Sequence, residues 1–526
     1  MADRLHVLHR RGRAEAAPVS ANWRLASLLA VLAMAACGTT VPQQGTTGQQ
    51  SVEGAVAPSN DASAVQPSGG SNGGSSSGTS GTSGFIPGST GGAPSGTART
   101  TSGSGAAGLG SAPTGGGTTR RGLSTSAITI GVVTSQDAAT LGKSLGAESL
   151  VGGDHVAEVD ALVKHINAHG GIAGRKLLVV YQDVKTSDAT ANPSASAQSA
   201  CDGLTQDKHV FAVVSIVGSL NNDVMYQCMA KRHTPFFGVD LVPHHASAFT
   251  RYAPYLYGSH TLVLERLVPT LVLRLQAQSW FSPWNNSGGK PGVAPVKVGV
   301  LYVDGDTGYL KLAEQAMSRA GHLVVVSFGY HDDLSQLGSD MQSAVLRFRS
   351  NGVTHLLIEE SDGVLFFLPA AEDQSYRPRY GFTSLNGAKA LSDTGTVPAR
   401  QFAGMRGVGW APALDVGNQP KDISPAAASC RKIMKAAGIN TSDATAFFYM
   451  AVECDAFLLL KEGLQRQQSY TAAGLRQGLE SLGARFDAAA VEGIAWKPGS
   501  YDGVSALRDF GYDNGTFSYR GPRQRT

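Results

Sequence analysis

The sequence predicts an α/β protein built as two doubly wound parallel sheets covered by helices, and three observations predict it. Between Asp154 and Tyr181, apolar residues first recur every three or four positions, at Val156, Val159, Val163 and Ile166, and then run uninterrupted over 177–181. The first pattern is one stripe of a helix and the second a strand of the kind buried on both faces. A strand over 128–133 lies upstream, so the unit is β-loop-α-β with a parallel crossover. The same alternation of strand and helix continues along the chain, which implies parallel sheets wrapped by helices.

The elements follow in order. Gly170-Gly171 stops the first helix, and Gly174 forces another turn before Arg175-Lys176. A helix is predicted over 192–205, a strand over 210–216, a helix over 221–231 and a strand over 236–239. Pro235 sits at that strand's start, where a missing N–H costs least. A helix over 262–277 is followed by a Pro/Gly/Asn-rich insert, 282–295, so the core of a second lobe begins near Val296. That lobe repeats the logic, with strands over 297–303, 323–328, 355–359 and 378–382 and helices over 308–320, 340–350 and 363–373. A weak strand over 405–408 precedes helices over 424–437, 443–460 and 471–482. The end differs, because Asn514-Gly515 between β-prone runs predicts a type I′ hairpin over 510–519.

The 526 residues leave room for two lobes after a non-globular start. Residues 38–125 are mostly Gly, Ser, Thr, Pro, Gln and Ala, with Glu53, Asp61 and Arg99 the charged residues before Arg120-Arg121. Too few apolar side chains stand there to offset ordering entropy, so a disordered tether is expected, spanning about 50 Å root-mean-square as a Gly/Ser coil. Ahead of it, Arg10, Arg11, Arg13 and Arg24 precede an apolar run over 25–36 that is too short to cross a bilayer but suits a signal-peptide core. The run ends in Met34-Ala35-Ala36-Cys37, which resembles a bacterial lipobox. Residues 1–37 are therefore expected to be a lipoprotein signal peptide, with Cys37 lipidated. Ordinary cleavage near Ala36 and an uncleaved signal anchor are the alternatives.

A net charge of +3 gives no nucleic-acid footprint. Four further cysteines fall in two locally spaced pairs. In an exported chain an even count favours disulfides, and the absence of close C-x-x-C spacing argues against a metal knuckle. The expected bridges are Cys201–Cys228 and Cys430–Cys454, with buried free thiols as the alternative.

Asn167-Ala168, Gly170-Gly171-Ile172 and Gly174-Arg175, between the first helix and its strand, resemble the first crossover of type I periplasmic solute-binding proteins, the branched-chain amino-acid-binding, leucine-binding-protein-like family. The resemblance covers 127–519. It implies two lobes on a multi-strand hinge, lobe I formed by 126–258 plus 384–485 and lobe II by 259–383 plus 486–526. With the lipobox at Cys37, a monomer anchored by lipid to the outer face of the cell membrane is expected. Such a protein captures a small polar solute between its lobes for the permease subunits of an ABC importer. A sensory binding module of the same fold and an envelope structural protein with a degenerate cleft are the other readings. No cofactor, metal or nucleic acid is expected.

In parallel sheets ligands bind beyond the carboxyl ends of strands, so the loops there hold the candidates. Ser219, at a helix start, is expected either to cap that helix or, as the resemblance implies, to bind a ligand carboxylate. Asp240 is placed to meet a cationic group or to cap a turn. Tyr257 stands at the first interlobe crossing as a contact or a packing residue. Asp304, Asp306 and Thr307 open like a calcium loop, but the twelfth position is Gln315, so an EF-hand fails; the loop also lacks the phosphate-loop and dinucleotide fingerprints. As the resemblance implies, this is the second lobe's ligand loop, with Thr307 or Asp306 facing the cleft; Asp362, with Glu359 and Glu360 in the loop after the next strand, is another candidate, half of those acids being expected to stand solvated. The resembling family places an acid for the ligand's ammonium in the loop after the second lobe's last strand. Here that loop has no carboxylate over 380–386; Ser384 is its candidate ligand contact, Asp240, Asp306 or Asp362 are placed to substitute for the acid, and a branched-chain amino acid is not the expected ligand. Trp410 is placed as an aromatic wall or as packing. His244-His245 reads as an exposed pair, and no nucleophilic or metal arrangement emerges, so catalysis is not expected.

Overall fold

The computed structural model describes residues 121–144, 152–239, 241–331, 334–420, 422–467 and 469–526. The expected signal segment, Cys37, the tether up to residue 120 and Asp240 lie outside them.

In the first lobe, strand β1 (Ala127–Thr134) leads to helix α1 (His155–Ala168) and strand β2 (Lys176–Asp183). Asp154 caps α1 by accepting from Ala157 N at 3.1 Å, and the helix buries Val159, Leu162 and Ile166. Its stop is steric. A Cβ on Gly171 (φ +67°) would lie 2.0 Å from the Arg175 carbonyl oxygen, so only glycine fits the return. Asn167 then locks helix to strand, its amide donating to Leu177 O at 2.9 Å and accepting from Leu177 N at 2.8 Å. Helix α2 (Pro193–Asp202), β3 (Ala212–Ser215), α3 (Asp223–Lys231), β4 (Phe236–Gly238) and β5 (Leu256–Gly258) complete a parallel sheet in the order β2-β1-β3-β4-β5. The expectation that β2 is buried on both faces fails. It is an edge strand, and Leu178 is 46% exposed.

The second lobe begins with α4 (Leu264–Ala277) and continues through β6 (Val298–Val303), α5 (Thr307–Arg319), β7 (Val324–Tyr330), α6 (Leu334–Ser350), β8 (His355–Ile358), α7 (Ser361–Asp373), β9 (Arg379–Thr383) and β10 (Arg406–Gly409). Helices α8 (Pro425–Ala436) and α9 (Ala444–Arg466) then pack on α1 in the first lobe, and α10 (Ala472–Leu482) packs on α9. Strands β11 (Ala506–Asp513) and β12 (Thr516–Arg525) return to the second sheet, whose order is β12-β11-β10-β9-β8-β6-β7. The final hairpin turns through Asn514 (φ 51°) and Gly515 (φ 80°), the positive pair that a type I′ turn requires.

One boundary differs from the expectation. Gly381 pairs with Arg406 in parallel, so β10 belongs to the second sheet, and the chain returns to the first lobe after Gly409 rather than at 384. Three segments therefore cross between the lobes, 259–263, 410–424 and 483–505. Both expected disulfides are present, Cys201–Cys228 joining α2 to α3 and Cys430–Cys454 joining α8 to α9.

Candidate functional site

Two loops at the carboxyl ends of strands, one in each lobe, present open hydroxyls. After β3 the chain makes a single tight turn, Gly218–Leu220, that leaves Ser219 exposed. Ser219 does not cap α3. Asn222 does, accepting from Val224 N at 3.1 Å and Met225 N at 3.3 Å. After β6, Asp306 caps α5 by accepting from Tyr309 N at 2.9 Å, and Thr307, the first helical residue, is exposed. Among the described residues the hydroxyls of Ser219 and Thr307 have no hydrogen-bond partner.

The lobes touch beside these loops. His245, on the loop after β4, lies with Nδ1 2.9 Å from Glu265 Oε1 and Nε2 2.9 Å from Asp306 Oδ1. The hydrogen bonds to Asp306 and Glu265 outweigh desolvation and raise this imidazole from 6.5 to about 10. The two carboxylates are held below their ordinary values by the same contacts, against the effect of burial. Behind Asp306, Glu359 is buried and accepts from Val303 N at 2.9 Å; burial pushes its carboxyl well up, with Glu360 and Asp306 adding to the effect. His244-His245 is thus not an exposed pair. His244 is buried against Tyr226 and Phe249, and His245 bridges the lobes.

Three other candidates sit differently. Tyr257 is buried, stacked on Phe237, with its hydroxyl donating to Ala472 O at 3.2 Å. Ser384 is buried and fully engaged, donating to Asp415 Oδ2 at 2.9 Å and accepting from Trp410 N at 2.7 Å and Ala411 N at 3.1 Å. Trp410 is buried, and its indole donates to His260 O at 2.8 Å. These side chains are occupied as framework, because burial obliges their polar atoms to find partners inside the protein. Asp362 is half-buried in the first turn of α7, where the helix dipole favours its charge.

The fold also supplies a carboxylate beside the 380–386 loop from later in the chain. Asp415 accepts from Ser384 and from Tyr519 OH at 2.9 Å each, and from Ala411 N at 3.0 Å, while its Oδ1 has no partner among the described residues. Burial pushes it up to about 7 against these hydrogen bonds.

The crossings share one buried polar network. His260 Nδ1 lies 2.6 Å from Ser259 Oγ, and its Nε2 lies 3.2 Å from Asp455 Oδ2. Asp455 also accepts from Ala489 N at 2.7 Å and Ala490 N at 3.0 Å. The first crossing is thereby tied to α9 and to the third crossing, and the Trp410 indole adds the second. Trp410 O in turn accepts from Glu492 N at 2.8 Å. Ser259, His260 and Asp455 are each 0% exposed, so this Ser/His/Asp chain has no access to a substrate and works as a hinge brace. A concavity lined by Glu314, Gln315, Arg319 and Leu323 lies at the amino end of β7, away from the strand-end loops.

The model of the family described as periplasmic binding protein matches residues 127–502. The chain belongs to this family. Members of it bind solutes outside the cytoplasm, and no helix among the described residues is long and apolar enough to cross a membrane. The fold is similar to that of a Thermus thermophilus branched-chain amino-acid ABC transporter protein solved with bound valine, at 14% identity and TM-score 0.56, over 77% of this chain and 98% of that one. It is also similar to an R. palustris solute-binding protein in complex with 4-hydroxybenzoate, at 12% identity and TM-score 0.55, over 75% and 95%. A Desulfitobacterium hafniense substrate-binding protein in complex with Leu shares 17% identity at TM-score 0.50, over 75% and 100%. None of the curated proteins compared matches the chain.

Sequence reasoning missed His245, Asp415 and the His260–Asp455 brace. Only the proximity of Ser259 to His260 was visible locally; Asp455 is 195 residues further on.

Proposed function

We propose that the chain is a lipid-anchored, extracytoplasmic solute-binding protein that delivers a small carboxylate-bearing solute, such as an amino acid or a related acid, to the permease subunits of an ABC importer. The observation that supports this most is the pair of hydroxyls without a partner among the described residues, Ser219 on the first lobe and Thr307 on the second, at strand ends of a two-lobed fold. Ser219 receives the carboxylate, and the Thr307 loop with Asp362 closes over the solute from the other side. Asp240 is the proposed partner of any cationic group. Leucine, valine and 4-hydroxybenzoate, the solutes of the similar structures, share the carboxylate and differ in the ammonium, which fits a site whose carboxylate contact is its fixed element.

Binding shifts the population toward the closed form, which the permease reads, and the protein works as a monomer. Cys37 carries the lipid. A thermal-shift screen of the full chain over amino acids, amides and small acids tests the reading. A solute at a hundred times its dissociation constant stabilises by about 2.7 kcal/mol. No shift with any carboxylate would overturn the solute assignment. Radiolabelled-lipid incorporation that persists in Cys37→Ser would remove the anchor from that residue.

A further inference from the structure

One cluster of ionisable side chains lies buried in the first lobe, apart from the strand-end loops and the hinge brace. His155 and Glu158 stand in the first turn of α1, and Glu453 faces them from α9. His155 Nδ1 is 2.6 Å from Glu453 Oε1 and 3.4 Å from Glu158 Oε2. One ligand atom from each residue can be chosen so that all three lie within 4.8 Å of one another. The Glu158 and Glu453 side chains are 1% and 0% exposed. Both carboxylate oxygens of Glu158, and Oε2 of Glu453, have no hydrogen-bond partner among the described residues. The backbone is wrapped against this carboxylate, since a Cβ on Gly153 would lie 2.5 Å from Glu158 Oε1.

Two buried carboxylates with unpaired oxygens are costly unless something neutralises them. A lone histidine between them supplies at most one positive charge. We propose that His155, Glu158 and Glu453 bind a divalent transition-metal ion of the zinc class, bracing α1 against α9. One imidazole nitrogen and two carboxylate oxygens are a zinc donor set, and three protein ligands leave the fourth tetrahedral position for water. The charge balances as well, since two carboxylates and a neutral imidazole together match one divalent cation. Burial pushes the Glu453 carboxyl up, and the two carboxylates hold the His155 imidazole up against its desolvation. Cys454, next to Glu453, is already bonded to Cys430 on α8, so the ion would extend an existing cross-link to a third helix.

The test is metal analysis of the full chain purified without chelator, followed by zinc titration of the chelator-stripped protein by calorimetry and thermal melting. About one ion per chain is expected, with a rise in Tm of several degrees on adding zinc to the stripped protein. Both should be lost in Glu158→Gln and Glu453→Gln and kept in His331→Ala, which removes an exposed histidine paired with Asp340. Stripped Glu453→Gln loses the partner of His155 and should melt below stripped wild type, so each variant's zinc response is read as the change from its own stripped form. A wild-type chain with no metal and no zinc-induced shift would overturn the proposal, as would a shift that survives both Gln variants. Should neither Gln variant fold, the metal content and zinc response of the wild type decide alone.

Discussion

Tyr257, Ser384 and Trp410 lie beside the crossings, buried and with their polar groups engaged, whereas Ser219 and Thr307, on loops of the same kind, are exposed and unpartnered. All five stand at or just beyond carboxyl ends of parallel strands, where ligands of such sheets bind. What separates them is burial. Near the crossings three segments converge, solvent is excluded, and every polar group must be satisfied internally. Away from them the loops stay wet and keep free donors, which is what a solute that arrives and leaves requires. A strand-end position is thus necessary for a solute contact and insufficient by itself.

The contrast can be broken first at the brace. Asp455→Ala strands His260 and two backbone N–H groups in a fully buried site, and urea unfolding should show a loss on the order of 3–5 kcal/mol. A loss below about 1 kcal/mol would place Asp455 among ordinary surface substitutions and remove the brace. Ser384→Ala should cost about 1–3 kcal/mol in stability, by leaving Asp415 and the Trp410 amide under-satisfied, while solute affinity stays unchanged. Ser219→Ala and Thr307→Ala should show the reverse. Each is expected to keep stability within about 0.5 kcal/mol and weaken solute binding about tenfold, the loss of one hydrogen bond of about 1.4 kcal/mol.

The smallest effect is the pH dependence of the lobe contact at His245. Its folded value is raised to about 10 from 6.5, so its contribution is fully present below 6.5 and fades as pH rises through about 10. Asp306 and Glu265 are depressed below 3.8 and 4.5, so their contribution holds above those values and is lost as pH falls through the lowered ones. Comparing wild type with His245→Gln by thermal melting should therefore give a larger difference at pH 6 than at pH 10. Equal differences at both would detach the contact from this histidine's charge.

Much of the framework was legible because its causes are local. The stripe at Val159 and Ile166, the glycine return at Gly171 and the Asn514-Gly515 turn each rest on a few neighbouring residues. The disulfides followed from local pairing in a chain expected to be exported. The site was less legible, because burial near a hinge depends on what a distant segment brings. Ser384 reads like Ser219 in sequence, yet Asp415, 31 residues on, and Tyr519 occupy its surroundings. Strand β10 is a four-residue Arg-Gly-Val-Gly run whose sheet is decided by pairing with β9 and β11, and neither partner is visible from the run itself. His245 looked like an exposed loop residue because both of its acids lie in the other lobe.

The division between bracing and binding loops meets its most direct test in calorimetric titration of the screened solute into wild type, Ser219→Ala, Thr307→Ala and Ser384→Ala. The expected result is about tenfold weaker binding in the first two variants and wild-type affinity in Ser384→Ala, whose defect appears only in unfolding. Wild-type affinity in both Ser219→Ala and Thr307→Ala, with binding lost in Ser384→Ala, would contradict it and move the solute to the hinge.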